Sequence, residues 1–296
     1  MTYVNGGAPL HSPWKRSISA SCRRPGLLVV AFFLFLFCVP PLAQAADAPL
    51  NVNGPPDAEG VYVSTKPEVP LVETAKAAAA LPPLAYTPPA DHWAQLPLTR
   101  EILKNGGELR IVMLGDSIVN DTARSNWTFH LNDLYPNVKI IKYTVVRGST
   151  GCKWYRAAGR VAHYVTDLQP HLVMIGGISH GDDTDAILDV IQQIRAVRPT
   201  DIVLMTGPFG TVDPRDAEQW KSISDAPADS YRARLAKLAA EEKCEFVDLQ
   251  RAWGEFIRAG EKPVTDYKRD EVHANRAGEA VLGQILIKYF EPEKKR

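Results

Sequence analysis

From residue 109 onward the chain repeats one pattern, a short apolar run followed by a longer amphipathic segment. The runs at 109–114, 138–146, 171–175, 201–206 and 245–249 are largely apolar, as strands covered on both faces must be. Between them Ile187, Val190, Ile191 and Ile194 recur at helical spacing, as do Leu235, Leu238 and Ala239, and an apolar helix over residues 277–290 closes the pattern. Parallel neighbours need crossovers, so five such units predict an α/β fold: a parallel sheet between two helical layers. Such sheets place their chemistry at the carboxyl ends of the strands.

The two segments before this pattern differ from it and from each other. Lys15, Arg16, Arg23 and Arg24 precede an apolar run over residues 27–39, and Ala43, Gln44 and Ala45 follow. That order predicts a signal peptide over residues 1–45 with cleavage after Ala45, because the run is 13 residues and a bilayer span needs about 20. The expected location is secreted or periplasmic, with no stable membrane insertion after cleavage. Residues 46–107 hold 10 prolines in 62, against 8 in 189 for residues 108–296, which marks a boundary near 107. The proline-rich stretch reads as an N-terminal arm or small accessory lobe, with short edge strands at 60–63 and 69–72, a helical turn at 74–81 and extended linker around Pro82, Pro83, Pro88 and Pro89.

Charge and cysteine content narrow the function classes. The chain carries 34 Lys plus Arg against 34 Asp plus Glu; without the four basic residues of the signal, 30 remain against 34. A mildly acidic protein offers no basic face for phosphates, so nucleic acid is not the expected partner. Cleavage also removes Cys22 and Cys38. Cys152 follows one strand's carboxyl end and Cys244 precedes another strand, so the two fall at opposite edges of a parallel sheet and are expected to stay unpaired.

Candidate chemistry lies at three strand ends and before the last helix. The first strand runs into Gly115, Asp116 and Ser117, where a serine on a strand-to-helix turn projects its hydroxyl and its own amide into one space. The same tripeptide is equally turn and helix-cap chemistry. Near the far end, Asp270 and His273 are three apart on a polar turn, a spacing at which a carboxylate can orient an imidazole; a solvated loop gives the same pattern. The second strand runs into Arg147, Gly148, Ser149, Thr150 and Gly151, and the third into Gly176, Gly177, Ile178, Ser179 and His180. Both loops bare backbone amides. Asp182 and Asp183 precede a helix and read as its cap rather than as metal ligands; no metal or other cofactor is expected.

This order of motifs resembles the SGNH hydrolases, also called the GDSL family, over about residues 108–290. The resemblance implies a flavodoxin-like, doubly wound five-stranded sheet in three layers, and ester hydrolysis through an acyl-enzyme. It places the nucleophile on Ser117, the base on His273, the acid on Asp270 and a glycine oxyanion donor on Gly151. Where the family carries Gly-x-Asn-Asp this chain departs, with no Asn between Val146 and Asn275. Aligning Gly177 puts Ser179 at that position and a gapless strand puts His180 there; the longer reach of an imidazole favours His180 as third donor, with Ser179 the alternative. Asp116, Arg147, Trp154 and Tyr155 are candidate substrate contacts, the two aromatics as platforms for a sugar ring or, at least equally, as buried packing, and Arg147 as a partner for a substrate carboxylate or equally as a tie between loops. The expected function is a secreted serine esterase removing short acyl groups, such as acetyl, from a small-molecule or polysaccharide ester. A lipase or thioesterase of the same fold, or an inactive carbohydrate-binding relative, are the alternatives.

Overall fold

The computed structural model describes residues 49–208 and 210–292, so the expected signal peptide, Cys22 and Cys38 lie outside the described residues. Five strands run parallel where the apolar runs predict them. With one further strand in front they are β1 (Tyr62–Ser64), β2 (Gly107–Gly115), β3 (Val138–Val146), β4 (Leu172–Ile175), β5 (Asp201–Met205) and β6 (Glu245–Val247), in the order β1-β3-β2-β4-β5-β6. Along the central strands alternate residues enter two separate cores. Ile111, Met113, Leu172, Met174, Val203 and Met205 belong to one, Val112, Leu114, Val173, Ile175, Ile202 and Leu204 to the other. Burial on both faces is what demands uninterrupted apolar runs.

The sheet has six strands rather than five. β1 joins the free edge of β3 in antiparallel register, Tyr62 opposite Val146 and Ser64 opposite Thr144, and Val52 bridges to Val63 on its outer side. Residues 69–72 are not a strand: Pro70 stands at the N-cap of α1 (Leu71–Ala79). Residues 82–89 carry no helix or strand, and α2 (Pro97–Asn105), which the sequence pattern did not predict, starts with proline at its first position. The buried Asp201 carboxylate accepts from the Thr99 N–H of α2 at 2.7 Å, tying this segment to the amino end of β5.

The remaining helices fill the two layers. α3 (Ser117–Ala123) and α4 (Trp127–Leu134) follow β2; α5 (Cys152–Tyr155) and α6 (Arg160–Tyr164) follow β3; α7 (Thr184–Val197) follows β4. α8 (Ala217–Ser224) and α9 (Tyr231–Glu241) lie between β5 and β6, and α10 (Leu249–Ala259) and α11 (Arg276–Phe290) complete the chain. Asn126 interrupts the stretch from 117 to 134 with a left-handed backbone; its buried amide donates to the Val69 carbonyl at 2.9 Å. Cys152 and Cys244 are buried and unpaired.

Candidate active site

β2 and β3 end level, Gly115 opposite Val146, and β4 ends beside Leu114. Their three following loops therefore meet at one sheet edge. The contacts leave no room for side chains at the glycines. A Cβ on Gly115 would lie 2.3 Å from the Gly176 carbonyl, and one on Gly151 would lie 2.3 Å from the Ser179 carbonyl.

Ser117 is the first residue of α3, and its hydroxyl stands 2.8 Å from His273 Nε2. His273 Nδ1 in turn lies 3.0 and 2.9 Å from the two carboxylate oxygens of Asp270. Asp270 Oδ1 also accepts the backbone N–H groups of Val272 and His273 at 2.9 and 2.8 Å. Those two amides, aided by the imidazole, hold the carboxyl down at about 2, so it stays ionised and fixes the ring with Nδ1 protonated and Nε2 open. Hydroxyl, imidazole and carboxylate thus form one hydrogen-bonded chain through residues 117, 273 and 270, the geometry that proton transfer from a serine requires.

The histidine loop hangs from the helix that carries the serine. One turn after Ser117, the buried Asp121 accepts from the Ala274 N–H at 2.9 Å and pairs with Arg269 at 2.8 Å. Arg269 closes the loop on itself, its N–H to the His273 carbonyl at 3.0 Å and its guanidinium to the Ala274 carbonyl at 2.6 Å. The sequence reading missed Asp121. Its only signal is the four-residue spacing from Ser117, which puts both on one face of a helix.

Of the four candidate contacts, Asp116 is placed differently, and Arg147, Trp154 and Tyr155 take the packing and loop-tying roles that were their alternatives. Asp116 is fully buried; its Oδ1 accepts from Ile118 N–H at 2.9 Å and its Oδ2 from Ile178 and Ser179 N–H, each at 2.8 Å. It caps α3 and ties the β4 loop to the serine turn, which leaves nothing of it to meet substrate. Tyr155, also fully buried, donates to the Gly115 carbonyl at 2.9 Å and supports the turn from below. The Trp154 ring carries the guanidinium of Arg160 at 3.8 Å and that of Arg147 at 4.9 Å, so it is a packing partner for cations and not a sugar platform. Arg147 donates to the Glu59 carbonyl at 2.7 Å and to Thr150 Oγ1 at 2.6 Å, clamping the arm to the loop of Gly151.

His180 also departs from expectation. Its ring is buried, with Nδ1 accepting the Cys152 N–H at 3.3 Å and Nε2 facing the Gly176 carbonyl at 2.9 Å. Nε2 must then carry the only proton, and that proton is committed to Gly176. Burial pushes the imidazole below its ordinary 6.5, against the opposing pull of the Gly176 bond, so the ring stays neutral and has no N–H left for an oxyanion. Ser179 is half-buried, and its hydroxyl forms no hydrogen bond with another described residue. Asp183 caps α7, accepting from Ala186 N–H at 2.9 Å, and no cluster of three metal-ligating side chains occurs among the described residues.

Among solved structures, the chain is similar to an acetylxylan esterase, Axe2, from Geobacillus stearothermophilus, at 17% identity and a TM-score of 0.51 over 64% of this chain and 96% of that one. It is also similar to a two-domain esterase active on acetylated mannans, at 15% identity and a TM-score of 0.50 over 67% of this chain and 52% of that one. The comparison with curated proteins found no match. The model of the GDSL-like lipase/acylhydrolase family matches residues 113–281, from within β2 through the serine turn and the histidine loop into α11, and the chain belongs to that family.

Proposed function

We propose that the protein is an exported carbohydrate esterase that removes acetyl groups through an acyl-enzyme on Ser117. The observation that carries this reading is the continuous chain from Ser117 Oγ through His273 to Asp270, with 2.8 Å at its first link. Ser117 Oγ attacks the ester carbonyl carbon while its proton passes to His273 Nε2. The carbonyl oxygen becomes an oxyanion facing the Ser117 and Gly151 N–H groups, with the Ser179 hydroxyl as third donor. As the first residue of its helix Ser117 has no intrahelical acceptor, and the Gly151 N–H makes no hydrogen bond with another described residue. The intermediate collapses, the C–O bond to the sugar breaks, and the departing oxygen takes the proton from the imidazolium. Water then attacks the acetyl-enzyme by the same route, releasing acetate and free serine.

Acetate is favoured over a long acyl chain because the large exposed apolar side chains do not gather at the site. Leu71 and Val72 are on α1, Leu134 ends α4, Val197 ends α7, and among the described residues only Ile178 is near the serine turn. Carbohydrate as the alcohol is supported by the substrates of the two similar esterases. Export rests on the signal-like order of residues 1–45; among the described residues no helix is long and apolar enough to cross a membrane.

The test is turnover of 4-nitrophenyl acetate and labelling by a serine-directed phosphonate, with the adduct located by mass spectrometry. Turnover with the adduct on Ser117, and its loss by several orders of magnitude in Ser117→Ala and in His273→Ala, is expected. Rates that climb steeply with acyl length indicate a lipase, and a protein neither labelled nor active is a binding module.

A further inference from the structure

One strand along from the catalytic turn, a cavity of about 280 Å³ is lined by Gly177 and Ile178 after β4, Thr206 and Gly207 after β5, and Tyr231, Arg232 and Gln250 from the helices that flank β6. It shares a wall with the candidate active site, since Ile178 is the residue whose N–H Asp116 holds and Gly177 packs on the Asp116 carboxylate. Adjacent strands are about 4.8 Å apart, so a cavity over β4 and β5 is offset from Ser117, which follows β2, by about 5–10 Å. A sugar ring bonded through one oxygen to an acetyl group at Ser117 spans that offset.

The lining chemistry selects among ligands. Arg232 is paired with Asp248 and donates to the Ile223 carbonyl, so the cavity presents no free cation to an anion. Thr206 is consumed locally, its hydroxyl donating to Asp248 and accepting the Gln250 N–H. Two uncharged groups are left over. The Gln250 side-chain amide forms no hydrogen bond with another described residue, and the buried Tyr231 hydroxyl has no partner among the described residues. A buried hydroxyl left unpaired is costly, and a ligand hydroxyl offers the missing bond. The Tyr231 ring lies nearly parallel to the His180 imidazole, with centroids 6.4 Å apart and planes at 20°. Spare neutral donors and acceptors beside an aromatic ring fit a hydroxyl-rich, uncharged ring, whereas an acyl chain needs an apolar slot.

We propose that this cavity is the alcohol-side subsite, binding the sugar ring that carries the scissile acetyl, with Gln250 and Tyr231 as specificity-determining residues. The proposal rests on the esterase reading above. Its test is the selectivity ratio, kcat/KM on acetylated xylo-oligosaccharides divided by kcat/KM on 4-nitrophenyl acetate, whose alcohol part has no sugar hydroxyls. Gln250→Leu and Tyr231→Phe are each expected to lower this ratio by about five- to fiftyfold, the range for one or two lost neutral hydrogen bonds. Tyr231→Phe keeps the ring and its packing, and carries the test if Gln250→Leu does not fold. A ratio within twofold of wild type in both variants overturns the proposal. So does a Gln250→Leu enzyme that gains activity on hexanoate esters at an unchanged ratio, which makes the cavity an acyl pocket. Wild-type protein inactive on both substrates overturns the esterase reading itself, a different failure.

Discussion

Replacing Asp116 by Asn tests whether this carboxylate is a fastener or a substrate contact. In the structure it accepts three backbone N–H groups, one on the first oxygen and two on the second, and is fully buried. An asparagine has one acceptor oxygen and turns its NH2 towards the N–H groups opposite the other. In its better orientation it keeps the bonds to Ile178 and Ser179, now without charge assistance, and loses the cap on α3. Loss of an N-cap costs about 1 kcal/mol, and a buried donor left unsatisfied about 1–3 kcal/mol. Weakening of the two retained bonds brings the expected total to about 3–4 kcal/mol. Asp116→Ala removes all three partners and approaches the whole stability of a typical domain, about 5–15 kcal/mol, so Asn is the informative variant. Urea unfolding followed by tryptophan fluorescence reads the loss as a fall in midpoint of about 1 M or more at an unchanged slope, for a slope of about 3 kcal/mol/M. Activity falls too, through kcat, because Ser117 is the next residue. An unchanged midpoint together with a tenfold rise in KM refutes the reasoning and returns Asp116 to the substrate.

Two further perturbations address the oxyanion side. His180→Phe strands the Cys152 N–H and the Gly176 carbonyl and is expected to cost about 2–4 kcal/mol. A hundredfold fall in kcat at unchanged stability instead makes the ring an oxyanion donor. Because burial lowers the His180 pKa, the unfolded chain binds the extra proton first. Its contribution is therefore intact above the ordinary value of 6.5 and lost as pH falls below it through the folded value; urea midpoints at pH 8 and pH 5 should converge less in wild type than in His180→Gln. Arg147→Ala, which releases the loop of Gly151 from Glu59, is expected to lower kcat about tenfold with KM little changed and with partial rescue by Arg147→Lys; a rise in KM alone counts against the clamp.

The parallel strands were legible because burial on both faces leaves a local mark, an apolar run five to nine residues long. That Ser117, His273 and Asp270 could meet was legible from the two local motifs that carry them, and the structure brings the three within hydrogen-bond distance. β1 was legible as a short edge strand at 60–63 but not with its partner: three residues in a proline-rich stretch pair because β3 offers an edge more than 70 residues later. Asp116 and His180 failed for a related reason. Reach from the backbone is a property of the residue, but whether its donors are free depends on what the fold brings alongside. For His180 those were the Cys152 amide and the Gly176 carbonyl, and for Asp116 two amides more than 60 residues away. Arg147 shows the same limit, its main acceptor being a carbonyl of the arm at Glu59.

The clamp from Glu59 to Arg147 closes 88 residues of chain and the contact from Ser117 to His273 closes 156, and both bear on the same few atoms around Ser117. Contacts of such separation are among the last that a folding chain can close, since each must wait for the intervening segments to compact. Neither a nascent chain that has not yet produced its last two helices nor a proteolysed one shorn of its first strand holds a complete set of parts. The Ser117–His273 contact is thereby complete only once segments this far apart have docked, so on the esterase reading competence for chemistry doubles as a report that folding is finished.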